Sequence, residues 1–371
     1  MYSRISFEII VKKTEVNGEW HEKFINFALM DIFESKTVRV NVLTSLTSIV
    51  LILGVFFCIY TPNYMFFKWW SQYASQITIA YWILGLLFLA FKSPRLTLIA
   101  FISCAFLCLY LKNTTNPALA PPKVTSEPIM KIAQFNLTAT NSNYDETIDA
   151  IKKAGADVIS IQEVSPDWNK VLKDSLSTSY PYNCQIAGLD VYSMKLYSKY
   201  AFATCDTFYC DNVPNLILGF NTQYSSRKIY IIASYIAPPI FSSAYQKLQH
   251  QLDTLATHIK RLNCPVITVG DYNIHGSSFE IQQFRHLANL KDSRRGYRPD
   301  RSNGYISLLE VPTDHIFYTA EMTCIEFITI SGPHEERLGI EGSYQFKKDS
   351  MIEYKPLQLQ SFQPCENCPK R

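Results

Sequence analysis

Val266-Ile-Thr-Val-Gly-Asp-Tyr-Asn-Ile274 is the stretch whose reading decides the fold. Val266–Val269 is a short apolar and β-branched run, which predicts a buried strand. Gly270 follows it. Asp271 and Asn273 then put two polar side chains just past the strand's C-terminal end. Taken alone, Asp-x-Asn after glycine reads as a turn.

Outward from this point the chain alternates between strand and helix patterns. Upstream, Ser242–Leu262 carries Leu248, Leu252, Leu255 and Ile259 at helical spacing. Val191–Tyr197, Leu216–Asn221 and Lys228–Tyr235 read as strands, and so do Met130–Asn136 and Asp157–Gln162. Tyr144–Ala154 and Ser165–Leu176 read as helices between them. Downstream come strands at Asp314–Thr319 and Cys324–Ile330, with a closing strand near Tyr344. This order predicts an α/β sandwich whose sheets are covered by helices.

Polar residues recur at the ends of those strands. Asn136 ends the first, in Phe-Asn-Leu. Glu163 ends the second, in Ile-Gln-Glu-Val. Asp314 and His315 open a later one, in Pro-Thr-Asp-His-Ile-Phe. Converging strand ends are where layered α/β proteins place their sites. A hard divalent cation takes oxygen ligands, often one or two carboxylates completed by water and substrate phosphate, so Glu163 with Asn136 suits Mg²⁺ or Mn²⁺. Asp271 can orient or deprotonate a water, and Asn273 can donate to a phosphoryl oxygen. Each residue alone has a plain structural reading, such as a helix cap for Glu163. The ordered set outweighs those readings.

FNL, QEV 27 residues further on, GDYN and PTDHIF together resemble the endonuclease/exonuclease/phosphatase superfamily over about residues 131–346. That resemblance implies a four-layer sandwich, two β-sheets flanked by helices. It also implies metal-dependent hydrolysis of a phosphodiester or phosphomonoester. Glu163 becomes the principal metal ligand with Asn136 beside it, Asp271 positions the attacking water, and Asn273 binds phosphate. Asp314 supports the metal and the catalytic-histidine region, and Leu196–Tyr200 matches a structural strand. Two departures stand out. Many members carry a histidine before a Pro-Pro pair where this chain has Tyr235, in Ser-Tyr-Ile-Ala-Pro-Pro; tyrosine occurs there in the abasic-site branch and still donates to phosphate. The family closes with Ser-Asp-His-x-Pro, whose best match here is Gly342-Ser343-Tyr344-Gln345, with neither Asp nor His. His334, in Gly-Pro-His-Glu-Glu, is the nearest histidine and is expected to fill that space from the preceding loop. The alternative expectation is a weakened or inactive relative that acts as a tethered binding domain, which Tyr235 and the Tyr344–Gln345 pair favour.

Composition sets the surroundings. Hydrophobic residues make up 47% of the chain and charged ones only 18%, which points to lipid. Asn41–Tyr60, Trp69–Phe91 and Leu96–Leu111 hold no charge over 20, 23 and 16 residues, so three transmembrane helices are expected in 41–111. The first two are long enough for a ~30 Å hydrocarbon core, and Arg95 and Lys112 can snorkel at the ends of the third. Basic residues cluster in the tail 1–40 and at Lys92 and Arg95, which puts these in the cytoplasm and the following domain outside. Membrane-anchored bacterial members share this layout, and the resemblance implies an inner membrane with a periplasmic domain. Residues 112–129 read as a proline-rich linker, 130–350 as the phosphoesterase-like domain and 351–371 as a loose tail.

Residues 131–371 carry 24 Lys and Arg against 25 Asp and Glu. A broad basic surface for non-specific nucleic-acid binding is therefore absent, and a lipid headgroup or other envelope phosphate joins nucleic acid as a plausible substrate. Lys291, Arg294, Arg295, Arg298 and Arg301 form a basic loop that either attracts phosphate or is simply solvated. Of ten cysteines, Cys58, Cys104 and Cys108 fall in the apolar runs. Cys205 and Cys210 are expected to pair locally in an oxidising compartment, and Cys365–Cys368 lacks the second pair a zinc site needs.

Overall fold

The computed structural model describes residues 42–62, 64–114, 129–137, 143–186, 192–221, 228–294, 311–331 and 337–346. The expectations for the tails, for residues 115–128, for His334, and for Arg295, Arg298 and Arg301 lie outside these. The chain divides into two compact units: Met1–Phe56 with Thr78–Phe106, and Phe57–Ile77 with Leu107–Arg371.

Among the described residues four apolar helices come first: α1 (Val42–Ile59), α2 (Met65–Gln72), α3 (Ala74–Ala90) and α4 (Pro94–Thr114). By length and composition α1 and α4 are each able to cross a membrane, and α2 with α3 make a third span only if that bent pair counts as one. The chain bends by 69° at the break between α2 and α3. The run expected as one span from Trp69 is thus two helices, with Trp69 and Trp70 in α2 and the break at Tyr73. The third run is longer than its charge-free core suggests, because α4 takes in Arg95 and Lys112 and reaches 21 residues. Within the first unit, Tyr81 Oη donates to the Leu51 carbonyl at 2.6 Å and Cys104 Sγ to the Thr78 carbonyl at 3.6 Å.

The second unit holds two six-stranded sheets. Strands β1 (Ile129–Asn136), β2 (Val158–Gln162), β3 (Tyr182–Ile186), β4 (Met194–Ser198), β11 (Met322–Ser331) and β12 (Arg337–Phe346) make one, in the order β11-β12-β1-β2-β4-β3. Strands β5 (Thr204–Cys210), β6 (Val213–Phe220), β7 (Ile229–Ala233), β8 (Val266–Asp271), β9 (Leu290–Asp292) and β10 (Asp314–Thr319) make the other, in the order β5-β6-β7-β8-β10-β9. Each sheet has one parallel pair, β1 with β2 and β7 with β8, and is otherwise antiparallel.

Side-chain alternation builds the layers. Ile132, Val158, Ile231, Ile267 and Val269 point between the sheets into one core. Their neighbours Phe135, Ile159 and Ile161 face outward against α5 (Tyr144–Ala154) and α6 (Pro166–Leu176). On the other side, Ile232, Val266 and Phe317 face α7 (Ser242–Leu262) and α8 (Phe279–Ala288). This four-layer sandwich agrees with the expected class. Local signals start and stop the helices. Ser165 Oγ accepts from the Trp168 amide at 3.2 Å ahead of Pro166, and Gly155 ends α5 at φ 60°. Ser278 caps α8, an element that, like β3, β5 and β9, the sequence pattern does not mark.

Three expectations need correction. Cys205 pairs with Cys184, not with Cys210, and so links edge strand β5 to edge strand β3 of the opposite sheet. Cys205 and Cys210 lie on one extended strand, where five residues separate them by ~16 Å and leave them on opposite faces. The supposed counterpart of the closing motif is also misplaced. Tyr344 and Gln345 pair with Met130 and Ile129, at the far end of β1 from Asn136, and Tyr344 is core, with its hydroxyl 2.6 Å from Ser293. Finally, Lys291 and Asp292 belong to β9, and Arg294 is buried with its guanidinium 4.9 Å from the Phe327 ring centre, so this part of the basic run is no solvated loop.

Candidate active site

Period-two alternation carries the core positions on to the strand ends. Ile132, Gln134 and Asn136 share one face of β1; Ile267, Val269 and Asp271 share one face of β8. Both faces look into the space between the sheets, so Asn136 and Asp271 meet there although 135 residues separate them.

Asn136 is the centre of the cluster. Its Nδ2 lies 3.1 Å from Glu163 Oε1 and 3.3 Å from Asp271 Oδ2, so one amide touches both carboxylates. Its buried Oδ1 has no hydrogen-bond partner. Asp271 Oδ1 accepts from the Asn273 amide at 2.8 Å, and Asn273 Nδ2 donates to the Ile236 carbonyl at 2.9 Å. The Asn273 side chain also lies close enough to Tyr235 to pull its phenol's pKa down. Five expected site residues therefore form one cluster: Asn136, Glu163, Tyr235, Asp271 and Asn273. Asp314 stands opposite Asp271 in the β8–β10 register. His315, beside it, points away from the cluster: buried, its Nε2 donates to the Ile274 carbonyl at 3.0 Å under the loop that follows Asp271.

Two of these residues sit in the left-handed region, Glu163 at φ 57° and Asn273 at φ 52°. Glutamate there costs ~1–2 kcal/mol, a strain typical of functional sites. The electrostatics are tense as well. Burial pushes the Asp271 carboxyl up to about 6, with the nearby Asp314 and then Glu163 charges adding to it, while the Asn273 amide and the Thr313 side chain pull it down. Burial, with Asp271 and Glu163 beside it, pushes the Tyr235 phenol up to about 12, which keeps it a neutral hydrogen-bond donor.

What holds the cluster together is Gln162, the first residue of the QEV motif, whose part in the site the sequence does not signal. It is fully buried. Its Nε2 donates to the Ser234 carbonyl at 2.8 Å, and its Oε1 accepts from the Asp271 amide at 2.8 Å and from Gln134 Nε2 at 2.7 Å. One side chain thereby ties β2 of the first sheet to β8 and to the end of β7 in the second. Gly270 allows this closeness, since at φ 153° a Cβ there would lie 1.9 Å from the Ser234 carbonyl oxygen.

Among the described residues no three His, Cys, Asp or Glu side chains form a metal cage. The donors present are of another kind: two carboxylates sharing one amide, beside a buried amide oxygen with no partner. That set suits a hard cation that keeps most of its shell for water and phosphate.

Residues 133–334 match the family model described as the Endonuclease/Exonuclease/phosphatase family. The match spans more than half of the chain, and the chain belongs to that family. No curated protein matches it. Solved structures similar to it include D. rerio TDP2 complexed with a single-strand DNA product, at 17% identity and TM-score 0.48, covering 59% of this chain and 100% of that one. A Bacteroides thetaiotaomicron VPI-5482 mannosyl-6-phosphatase is 13% identical with TM-score 0.48, over 58% of this chain and 100% of its own. Sphingomyelinase C from Streptomyces griseocarneus is 13% identical with TM-score 0.45, over 59% and 100%.

Proposed function

We propose that this chain is a membrane-anchored, divalent-metal-dependent phosphoesterase whose site is the Asn136–Glu163–Asp271 cluster. One observation carries the reading: Asn136 holds two carboxylates on its Nδ2 while its Oδ1 stays buried and unpaired. Two like charges held that close call for a counter-cation, and Glu163 with Asn136 Oδ1 is the pair to hold it.

Bound there, Mg²⁺ or Mn²⁺ would polarise a phosphoryl oxygen and offset its growing charge. The remaining roles fall to side chains. Asp271, fixed by the Asn273 amide and the Gln162 strap, takes the proton of an attacking water. Tyr235 donates from its phenol to the phosphate. Asn273 uses one amide hydrogen on the Ile236 carbonyl, and the other, beside Tyr235, would turn to a phosphoryl oxygen. Asp314 sustains the negative field behind Asp271. His334 is the last residue of the family match and precedes β12 by three positions. The family match, which ends on His334, is what supports His334 as the group that completes the site.

The three apolar helix regions support an integral membrane anchor, and the Cys184–Cys205 disulfide supports an oxidising, extracytoplasmic location for the domain. The substrate is a phosphate ester from nucleic acid, a lipid headgroup or another envelope molecule. The rival reading, an inactive binding domain, loses the support it drew from Tyr344–Gln345. The test is hydrolysis of a generic phosphodiester with Mg²⁺ by the wild type, Glu163→Ala and Asp271→Ala. Losses of ~10²-fold or more in both variants are expected; equal rates in all three proteins would end the reading.

A further inference from the structure

Five large apolar side chains outside the sandwich core are each more than half exposed: Phe66 and Trp69 on α2, Ile240 and Phe241 just before α7, and Phe279 at the start of α8. They come from three separate stretches of chain, yet all three meet around one buried residue. Lys68 Nζ lies 2.5 Å from Glu280 Oε1 and 5.5 Å from the ring centre of Tyr245, and both members of the ion pair are almost wholly buried. Phe279 is next to Glu280, Phe241 is one turn before Tyr245, and Phe66 and Trp69 flank Lys68. A buried charge persists only when paired, so this contact fixes α2 on the domain. The end of α4 holds the same place: Tyr110 Oη donates to the Ser277 carbonyl at 2.9 Å, and the Thr114 carbonyl accepts from Gln282 and Arg285 at 2.8 Å each.

The collar also lies at the site-bearing end of the sandwich. β7 runs on through Tyr235 and Ile236 to Ile240 and Phe241, while β8 runs on through Asp271 and Asn273 to Phe279. Single exposed apolar residues are ordinary, but an aromatic set grouped on one rim marks a contact surface. The helix α2 names the contact. It carries Trp69 and Trp70 among apolar residues, with Tyr64 and Tyr73 at its ends, the residue types that settle at a membrane–water interface.

We propose that this aromatic collar is seated in the interface of a lipid bilayer and holds the catalytic rim against it, so that the substrates are phosphate esters carried on lipid headgroups. The substrate half rests on the phosphoesterase reading above, and the placement half on α1, α3 and α4 crossing the membrane.

The experiment uses the full chain in phosphatidylethanolamine–phosphatidylglycerol nanodiscs, with a fluorescent amino acid placed singly at positions 86, 200, 241 and 279. Lipids carrying doxyl quenchers at shallow or deep positions report each depth. Position 86 in α3 should be quenched by the deep probe, and 241 and 279 by the shallow one. Tyr200 follows β4 at the opposite end of the sandwich and should respond to neither. Quenching at 86 without quenching at 241 and 279 overturns the collar alone; no quenching at 86 removes the membrane reading and the collar with it. A second copy covering the collar would show as concentration-dependent shielding without lipid quenching, which also overturns the proposal. For substrate, Phe241→Ser with Phe279→Ser should slow release of headgroup phosphate about tenfold while leaving a soluble phosphodiester unaffected. Equal losses on both substrates overturn the lipid assignment. Failure of the wild type to cleave either sinks the phosphoesterase reading, and the quenching still decides the collar.

Discussion

The main-chain N–H of Asp271 donates to the side-chain oxygen of Gln162 at 2.8 Å, joining a residue of one sheet to the candidate base of the other. Gln162 stands one residue before Glu163 and Asp271 is itself in the cluster, so this bond sets the spacing between the two carboxylates. The same amide reaches Ser234 and Gln134, and all four groups are buried.

Replacing that amide by an apolar group should therefore act on folding and site together. Gln162→Leu leaves the Ser234 carbonyl and the Asp271 amide without their partner and takes one of two acceptors from Gln134, at ~1–3 kcal/mol for each buried group left unsatisfied. The expected outcome is a denaturation midpoint well below wild type, with metal affinity, read by titration calorimetry, weakened in the fraction that still folds. An unchanged midpoint would refute the strap.

Gly270→Ala should be worse. The added methyl would meet the Ser234 carbonyl oxygen at 1.9 Å, against backbone that cannot step aside without parting β7 from β8. A loss above ~3 kcal/mol is expected, at the severe end for single substitutions. Recovery of folded full-length protein near wild-type yield and melting temperature would contradict this geometry.

The disulfide gives a chemical check. Peptide mapping without reduction should recover Cys184 joined to Cys205, with Cys210 as a free thiol. Cys205→Ser should cost ~3 kcal/mol, the scale for a loop of about twenty residues, whereas a 205–210 linked peptide would reverse the assignment.

His258 supplies a pH dependence with a definite sign. Its ring lies flat on Phe208, with centres 3.7 Å apart, and burial, then the Arg261 charge, pushes its pKa down to about 4. Between its ordinary value of 6.5 and about 4, the unfolded chain binds a proton that the fold refuses. This residue's contribution to stability is therefore complete above the ordinary value and declines as pH falls through that window. Imidazole proton shifts should stay flat through neutrality and titrate near 4; a midpoint close to 6.5 would contradict the packing.

Much of the site was legible because it follows strand ends. Asn136, Glu163, Asp271 and Asn273 each follow or end a short apolar run, and a strand's period of two decides which face they share. The correction at Tyr344 and Gln345 shows the limit of such reading. Sequence order places them near the family's closing motif, but the β1–β12 register carries them six or seven residues from Asn136, roughly 20 Å along the strand. Cys205 failed for a similar reason: spacing along the chain says nothing of a partner on another sheet.

Read by itself, then, the chain determined its apolar helices, the alternation of strands and helices, the identity of the polar strand-end residues and the family they resemble, since these depend on local periodicity and on residue chemistry. The meeting of Asn136 with both carboxylates, the Gln162 strap, the Cys184–Cys205 link and the gathering of α2, α7 and α8 around Lys68 were decided by the tertiary structure alone. Each depends on contacts between segments tens to hundreds of residues apart, and such distances follow from how the sheets pack, not from any neighbouring pair of residues.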